Sequence, residues 1–410
     1  MHMENLIREN YLVKLRRYYD SNLIKVLTGV RRCGKSILLR QIEEELIRDF
    51  HVNPDHVIDV NFEDVTFSNL TTYSKLHTYI MKRIIDKDKY YIFLDEIQHV
   101  RQFEKTLSSL KATQNVSIFV TGSNSKLLSG RLASLLVGRC KEFKIQPFTY
   151  KEYLDFHQIN RLALPPKPLQ DYLRFGGMPQ RFDYELEEDI RDYYGSLFTG
   201  IVEKDICNVQ SKIDKNVFGI LARYILANAG KEFSAKNVAE ILTKQTGQKI
   251  YSMTLYRVLE KLEQACLISH VQRYDVASKR TLKSIEKQFV VDPGFILACS
   301  SSNFVSVSHV LENIVYNELI YRGYNVLIGK TYKGEIDFVA MKEGKKCFIQ
   351  AAYLLESEET IEREFGAFSS LKDQSPKYVL SLDDFDMSKD GITHLNIEEF
   401  LKGDMDLFLS

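Results

Sequence analysis

The octapeptide Gly29-Val30-Arg31-Arg32-Cys33-Gly34-Lys35-Ser36 constrains this chain more than any other stretch. It fits the P-loop pattern G-x-x-x-x-G-K-[S/T], and its flanks suit that pattern. Leu23-Ile24-Lys25-Val26-Leu27 reads as a buried strand, and Ile37-Leu38-Leu39-Arg40-Gln41-Ile42 opens an amphipathic helix. A strand, a glycine loop and a helix start form the geometry that binds a triphosphate. The loop amides point at phosphate oxygens, and the helix N-terminus carries partial positive charge. Gly29 and Gly34 supply backbone conformations that a side chain would block. The expected binding set runs from Gly29 through Val30, Arg31, Arg32, Cys33, Gly34, Lys35 and Ser36 to Ile37. Lys35 reaches the β- and γ-phosphates in this reading, and the Ser36 hydroxyl coordinates Mg²⁺.

A partner motif follows. Lys89-Tyr90-Tyr91-Ile92-Phe93-Leu94-Asp95-Glu96 is a short apolar run ending in two acids, as in a strand buried on both faces. Acids at the C-terminal end of such a strand sit where open parallel sheets bind ligands. Asp95 is expected to hold Mg²⁺, and Glu96 to polarise the attacking water as a general base. By itself the pair reads equally as the cap of a following helix near Val100. Beside Lys35 and Ser36, the catalytic reading is favoured.

From Asn22 to Phe148 strands and helices alternate, which predicts a doubly wound parallel sheet. Val57–Phe62 and Val116–Gly122 read as further strands, Tyr73–Ile85 and Phe103–Ala112 as helices, and Cys140–Pro147 as a fifth strand. The strand tip offers Thr121, Ser123 and Asn124 as polar reporters of a γ-phosphate; an ordinary strand-to-helix turn explains them equally. Arg131 and Arg139 follow as candidates for a transition-state arginine, supplied by the same chain or by a neighbouring subunit.

Net charge is zero, with 55 basic and 55 acidic residues, so any nucleic-acid surface must be local. Six cysteines are scattered singly, which argues against zinc and for reduced thiols. Cys33 alone lies in the loop and is expected to be open to alkylation. Without a signal-peptide pattern or a spanning apolar run, a cytoplasmic protein with no membrane partner is expected.

Pro165-Pro166-Lys167-Pro168 reads as a linker after a first domain spanning 1–160. A helical region, 169–230, is interrupted by Gly176-Gly177-Met178-Pro179, whose glycines suit a tight turn against other backbone. Residues 231–295 have a winged-helix rhythm. There is a helix from Ala235 to Leu242, a helix from Ser252 to Gln264, then strands Leu267–Tyr274 and Lys287–Val291 joined by a tip carrying Lys279, Arg280 and Lys283. Two readings stay open. In one, Thr254, Tyr256, Arg257 and Lys261 face DNA and the tip meets phosphates. In the other, the module only packs between domains, and Glu260 and Glu263 oppose phosphate.

Residues 308–410 read as a small α/β unit. A helix spans Leu311–Leu319, Gly334–Ala340 and Lys346–Ala352 form a hairpin turning at Gly344, a helix covers Glu362–Leu371, and Lys377–Ser381 is a strand. Glu312, Asp337 and Gln350 would line one edge and hold Mg²⁺ for phosphodiester hydrolysis. That chemistry wants a lysine two positions after Gln350, where Ala352 stands. The unit therefore reads as a degenerate nuclease-like fold without cutting activity.

The loop, Leu94-Asp95-Glu96, Thr121-Gly122-Ser123 and Gly138-Arg139 together resemble the prokaryotic AAA-superfamily ATPases that carry a C-terminal domain of unknown function. The second half resembles that partner domain through Phe175-Gly176-Gly177-Met178-Pro179, Leu311-Glu312-Asn313 and Gly334-Glu335-Ile336-Asp337-Phe338. The tail resembles the PD-(D/E)XK nuclease superfamily. The resemblance implies ATP rather than GTP, with Mg²⁺. It also implies hydrolysis to ADP and phosphate by Lys35, Ser36, Asp95 and Glu96, and leaves room for a homo-oligomer. The effector half would be driven or gated by nucleotide. The alternative is a nucleotide-gated DNA-binding or adaptor protein with little turnover.

Overall fold

The apolar run before the glycine loop forms β1 (Ile24–Thr28), buried at every position. The computed structural model describes residues 3–122, 138–206, 214–231, 233–300, 306–332, 334–403, 405 and 407–408. They fall into two units, Met1–Pro147 with Gln264–Cys266 and Phe148–Glu263 with Leu267–Ser410.

In the first unit, α1 (Glu9–Arg16) precedes β1, and α2 (Lys35–Arg48) follows the loop. Then come β2 (Val57–Asn61), α3 (Tyr73–Met81), β3 (Tyr90–Asp95), α4 (Phe103–Thr113), β4 (Val116–Gly122) and β5 (Cys140–Lys144). The five strands lie in the order β2-β3-β4-β1-β5. Every pairing is parallel, as the βα alternation predicts. Strands β1, β3 and β4 are central and wholly buried, which is why they read as unbroken apolar runs. Ile24, Val26, Ile92, Leu94, Ile118 and Val120 form one core with Leu76, Ile80, Leu107 and Leu110 from α3 and α4. The expected extension of α3 to Ile85 is not made: the helix ends at Met81, and Tyr90 hydroxyl receives the Ile85 N–H.

The second unit begins with α5 (Tyr150–Ile159), closed at its start by a Thr149/Glu152 capping box. Next are α6 (Pro168–Phe175), α7 (Glu187–Ile201) and α8 (Lys215–Ala227). The glycine pair after α6 behaves as expected of a close approach. A Cβ on Gly177 would stand 2.1 Å from the Phe148 carbonyl oxygen, and one on Gly176 would stand 1.9 Å from Asp292 Oδ1. Asp292 is the reason for the crowding. Its carboxylate accepts the N–H groups of Gly177 and Gly294 and the Tyr194 hydroxyl, at 2.7–2.9 Å.

Helices α9 (Ala235–Thr246) and α10 (Ser252–Gln264) lead into β6 (Ile268–Asp275) and β7 (Arg280–Val290). Then follow α11 (Gly294–Cys299), α12 (Val307–Tyr321), β8 (Asn325–Lys330), β9 (Glu335–Lys342), β10 (Lys345–Ala351), α13 (Glu358–Gly366), β11 (Lys377–Ser381), β12 (Thr393–Asn396) and α14 (Ile397–Lys402). The helix–turn–helix–hairpin order of the sequence reading is present. The hairpin, however, does not stand alone. Strand β6 pairs in parallel with β8 through Arg273–Asp275 and Ile328–Lys330, giving one seven-stranded sheet in the order β12-β11-β10-β9-β8-β6-β7. The boundary expected between 295 and 308 is thus crossed by a continuous sheet. The β9–β10 hairpin turns at Glu343-Gly344, both at positive φ, as expected. Helix α13 starts earlier than the sequence pattern suggests, because the Ser357 side chain caps it. No helix among the described residues is long and apolar enough to cross a membrane.

Candidate functional site

Chain leaving the buried strand β1 must turn at once to open a loop over the sheet end. Gly29 makes this turn where a Cβ would meet the Ile145 carbonyl oxygen at 2.3 Å. Gly34 ends the loop at φ +99° and sits directly before α2. Lys35 is 3% exposed. Its ammonium donates to the carbonyls of Gly29 and Val30, each at 3.1 Å, so the charge lies over the loop's own concavity. Arg31 pairs with Glu63 at 2.8 Å.

Two features of the loop were not legible in the motif. Arg8, 2% exposed, donates to the carbonyls of Cys33 (3.2 Å), Gln146 (2.8 Å) and Pro147 (3.3 Å), and its guanidinium lies over the Tyr11 ring. It ties the loop to the segment after β5. Cys33 is fully buried, its thiol donating to the Ile145 carbonyl, and burial pushes the thiol pKa up. The expected alkylation site is therefore corrected: this thiol is neither accessible nor ionised.

Asp95 and Glu96 end β3 and are 5% and 8% exposed. In register beside them, Thr121 of β4 joins the two. Its hydroxyl donates to Asp95 Oδ1 and accepts the Glu96 N–H at 2.9 Å. Glu96 is held at φ +56°, ψ +48°, and its side chain makes no helix-cap hydrogen bond. The capping reading of this pair thus fails. The Gln98 side-chain amide donates to the Glu96 carboxylate instead. A non-glycine residue at positive φ is unusual and marks constraint. The turn points the two acids differently from a continuing strand. Asp59 of β2 is drawn into the same field: burial raises its pKa first, and the Asp95 charge second.

These groups surround the end of the sheet from which the glycine loop leaves. A loop closed by a helix start, an ammonium resting only on carbonyls among its described contacts, and a buried carboxylate bridged by one hydroxyl suit an anion with a hard cation. Thr121 thus acts by holding Asp95 and Glu96. Arg139 lies elsewhere. Its carbonyl receives the Ile24 N–H at 2.8 Å, which sets it at the start of β1, the opposite end of the sheet from the loop. The described contacts do not bring it to the glycine loop. Arg131, Ser123 and Asn124 fall outside the described residues.

In the second unit the sequence-predicted trio comes together. Glu312 of α12, Asp337 of β9 and Gln350 of β10 share one groove. The Asp337 N–H donates to Gln350 Oε1 at 2.7 Å, and Asp337 Oδ2 accepts the Ala351 N–H at 2.9 Å. The Gln350 amide donates to Glu364 at 2.8 Å. Ala352 packs in an apolar core with Val339, Phe348 and Phe365. A lysine missed from sequence stands among the acids: Lys287 of β7, whose ammonium is 2.5 Å from Glu312, 2.7 Å from Glu335 and 3.9 Å from Asp337. Burial lowers its pKa, but Glu312, Asp337 and Glu335 together hold it above the usual lysine value. Burial, countered by Lys287, raises Glu312; burial and the Glu312 charge raise Asp337. Asn313, fully buried, exchanges two hydrogen bonds with the Val290 backbone. It thereby fixes β7 against α12 and brings Lys287 to Glu312.

The residues that the sequence offers for DNA contact are less uniformly exposed than expected. Tyr256 and Arg257 on α10 are exposed, as are Lys279 and Arg280 at the hairpin tip. Lys261 is not available, because its ammonium donates to the Ile206 carbonyl at 3.1 Å. The Lys283 side chain is outside the described set.

Residues 21–154 match the family described as AAA domain, and residues 166–304 match a domain of unknown function (DUF8612). An uncharacterized protein of Haemophilus influenzae is 33% identical over 350 residues, covering 84% of this chain and 86% of that one. The uncharacterized protein MJ1544 of Methanocaldococcus jannaschii is 30% identical over 365 residues, covering 86% of this chain and 79% of that one. Among solved structures, the Walker-type ATPase PABY2304 of Pyrococcus abyssi superposes with a TM-score of 0.52 at 16% identity. It covers 72% of this chain and 96% of its own.

Proposed function

Because this chain belongs to the family of the Haemophilus influenzae protein and carries an AAA-type P-loop ATPase domain, we propose that it binds ATP with Mg²⁺ and hydrolyses it to ADP and phosphate. The observation that carries this is the Thr121 bridge, which fixes Asp95 and Glu96 at the sheet end beside the glycine loop. Lys35 leaves the loop carbonyls for the β- and γ-phosphates, and Ser36 with Asp95 would hold Mg²⁺, which neutralises phosphate charge. Glu96 orients the attacking water and takes its proton. Arg139, on the far end of the sheet, serves a neighbouring subunit's γ-phosphate, which makes turnover depend on a homo-oligomer. The test is nucleotide affinity. Lys35→Ala should weaken ATP binding about tenfold to a hundredfold, the range of a lost charge-assisted contact. Calorimetry showing unchanged affinity would contradict the phosphate role.

A second reading draws on the exposed tip Lys279-Arg280. Here ATP sets a conformation and the hairpin contacts DNA phosphates. Log affinity for duplex DNA should then fall with log salt, and replacing both residues should reduce the slope by about 1.8, near 0.9 per phosphate contact. A slope unchanged by the double substitution leaves the tip without a DNA role.

A further inference from the structure

The glycine loop is held from behind by a residue far from the motif. We propose, on the basis of the ATP reading, that Arg8 is a positioning residue for phosphate binding. Its guanidinium, bonded to the Cys33 carbonyl, turns the Gly34 amide toward the β-phosphate of the nucleotide.

Arg8 is fixed on three sides. Its backbone N–H donates to Gln41 Oε1 of α2 at 3.3 Å, and the Gln41 amide donates to the Leu6 carbonyl at 2.8 Å. The segment before α1 is thus clasped to the helix that starts at the loop. Tyr11 lies beneath the guanidinium, with its ring centroid at 4.7 Å, and its hydroxyl accepts the Gln146 N–H at 3.0 Å. The Arg8 Nη2 donates to the Pro147 carbonyl at 3.3 Å. Nη1 divides its donation between the carbonyls of Gln146, at 2.8 Å, and Cys33, at 3.2 Å. A planar fork anchored at two fixed acceptors has little freedom left at the third.

The third acceptor decides where the next amide points. The Cys33–Gly34 peptide is trans, so its C=O and N–H lie on opposite sides. Arg8 occupies the carbonyl side, where a Cβ on Gly34 would stand 3.9 Å from Nη1. The Gly34 N–H therefore faces away from Arg8, and among the described contacts no protein group accepts it. An unpaired amide directly before a helix start is a donor kept for an anion. The guanidinium also polarises the peptide through its carbonyl, which makes that N–H the stronger donor. A staple between α1 and the segment after β5 needs only Gln146 and Pro147. The bond to Cys33 acts on the loop.

The β-phosphate is common to ATP and ADP, so Arg8 should support both. The experiment uses the full chain with Mg²⁺, calorimetry with each nucleotide, and steady-state phosphate release. Arg8→Ala should bind ADP and ATP each about tenfold more weakly. KM should rise to match while kcat stays within about twofold, the split of an interaction made equally in ground state and transition state. Millimolar guanidinium chloride, too dilute to unfold the chain, should restore most of the ADP affinity of Arg8→Ala and none of that of Lys35→Ala. Arg8→Lys keeps the charge without the fork and should fall between wild type and Arg8→Ala. Melting curves report folding, and if Arg8→Ala does not fold, the KM and kcat of Arg8→Lys decide. A folded variant with wild-type affinities overturns the proposal and leaves ATP binding in place. A loss in Arg8→Ala that guanidinium does not recover also overturns it. Wild type that binds neither nucleotide overturns the ATP reading and this proposal with it.

Discussion

Glu96→Gln should lower the ATP hydrolysis rate by about 10²–10⁴, the usual contribution of a positioned general base, while ATP affinity stays within a few-fold of wild type. Glutamine keeps the shape of the side chain, and its backbone N–H can still donate to Thr121. It also tolerates the positive φ at this position as well as glutamate does. The changes are the loss of a proton acceptor and a reorganised contact with the Gln98 amide. A slow enzyme with normal affinity is the signature of an interaction made only in the transition state. Thr121→Val extends the test. It removes the hydroxyl shared by Asp95 and the Glu96 N–H without touching either acid. Turnover should fall, though less than with Glu96→Gln, because both acids remain. Steady-state phosphate release with affinity by calorimetry checks both. Equal rates for wild type and Glu96→Gln would move the base elsewhere and remove the assigned role.

What the sequence made legible follows from where the signals are local. The glycine loop, the all-apolar β3 ending in acids and the βα alternation are written within a few residues of one another, and the parallel sheet follows from them. Arg8 is different. It precedes the loop by 25 residues in its contact with Cys33 and 138 in its contact with Gln146, so no spacing rule points to it. Lys287 is the same kind of case. It sits in a strand that reads as ordinary hairpin, and its meaning appears only when Asn313 pins β7 to α12. The missing lysine at Ala352 was a correct observation about a motif. The structure adds that Ala352 packs in an apolar core, while Lys287 meets the acids from β7. That the hairpin joins a larger sheet was illegible for a related reason. The β6–β8 pairing joins residues more than fifty positions apart, and only tertiary packing specifies it.

Lys25→Met should stabilise the first unit at neutral pH. Lys25 lies in β1, an interior strand of the sheet, fully buried, with its amine donating to Ser117 Oγ at 2.6 Å and lying over the Phe119 ring. Burial first, then the charges of Lys111 and Lys89, push its pKa down to about 7. In the unfolded chain the same amine titrates at its ordinary value of about 10.4. Between those two values the unfolded chain binds more protons, so stability rises with pH across that window. At pH 7 folding must carry most of the cost of discharging the amine, about 4 kcal/mol as an upper bound. Methionine fills nearly the same volume without that cost. Ser117 keeps its own donation to the Tyr19 carbonyl at 2.5 Å, so the polar group left behind is still bonded. Denaturant unfolding should show the variant more stable by about 2–4 kcal/mol at pH 7, with the gap closing toward pH 10. Taking the difference between the two proteins at each pH removes the contribution of other titrating groups. A gap that stays constant from pH 7 to pH 10 would mean that the buried amine is charged in the folded protein, and that the hydroxyl of Ser117 and the ring of Phe119 sustain an ammonium at the centre of the sheet.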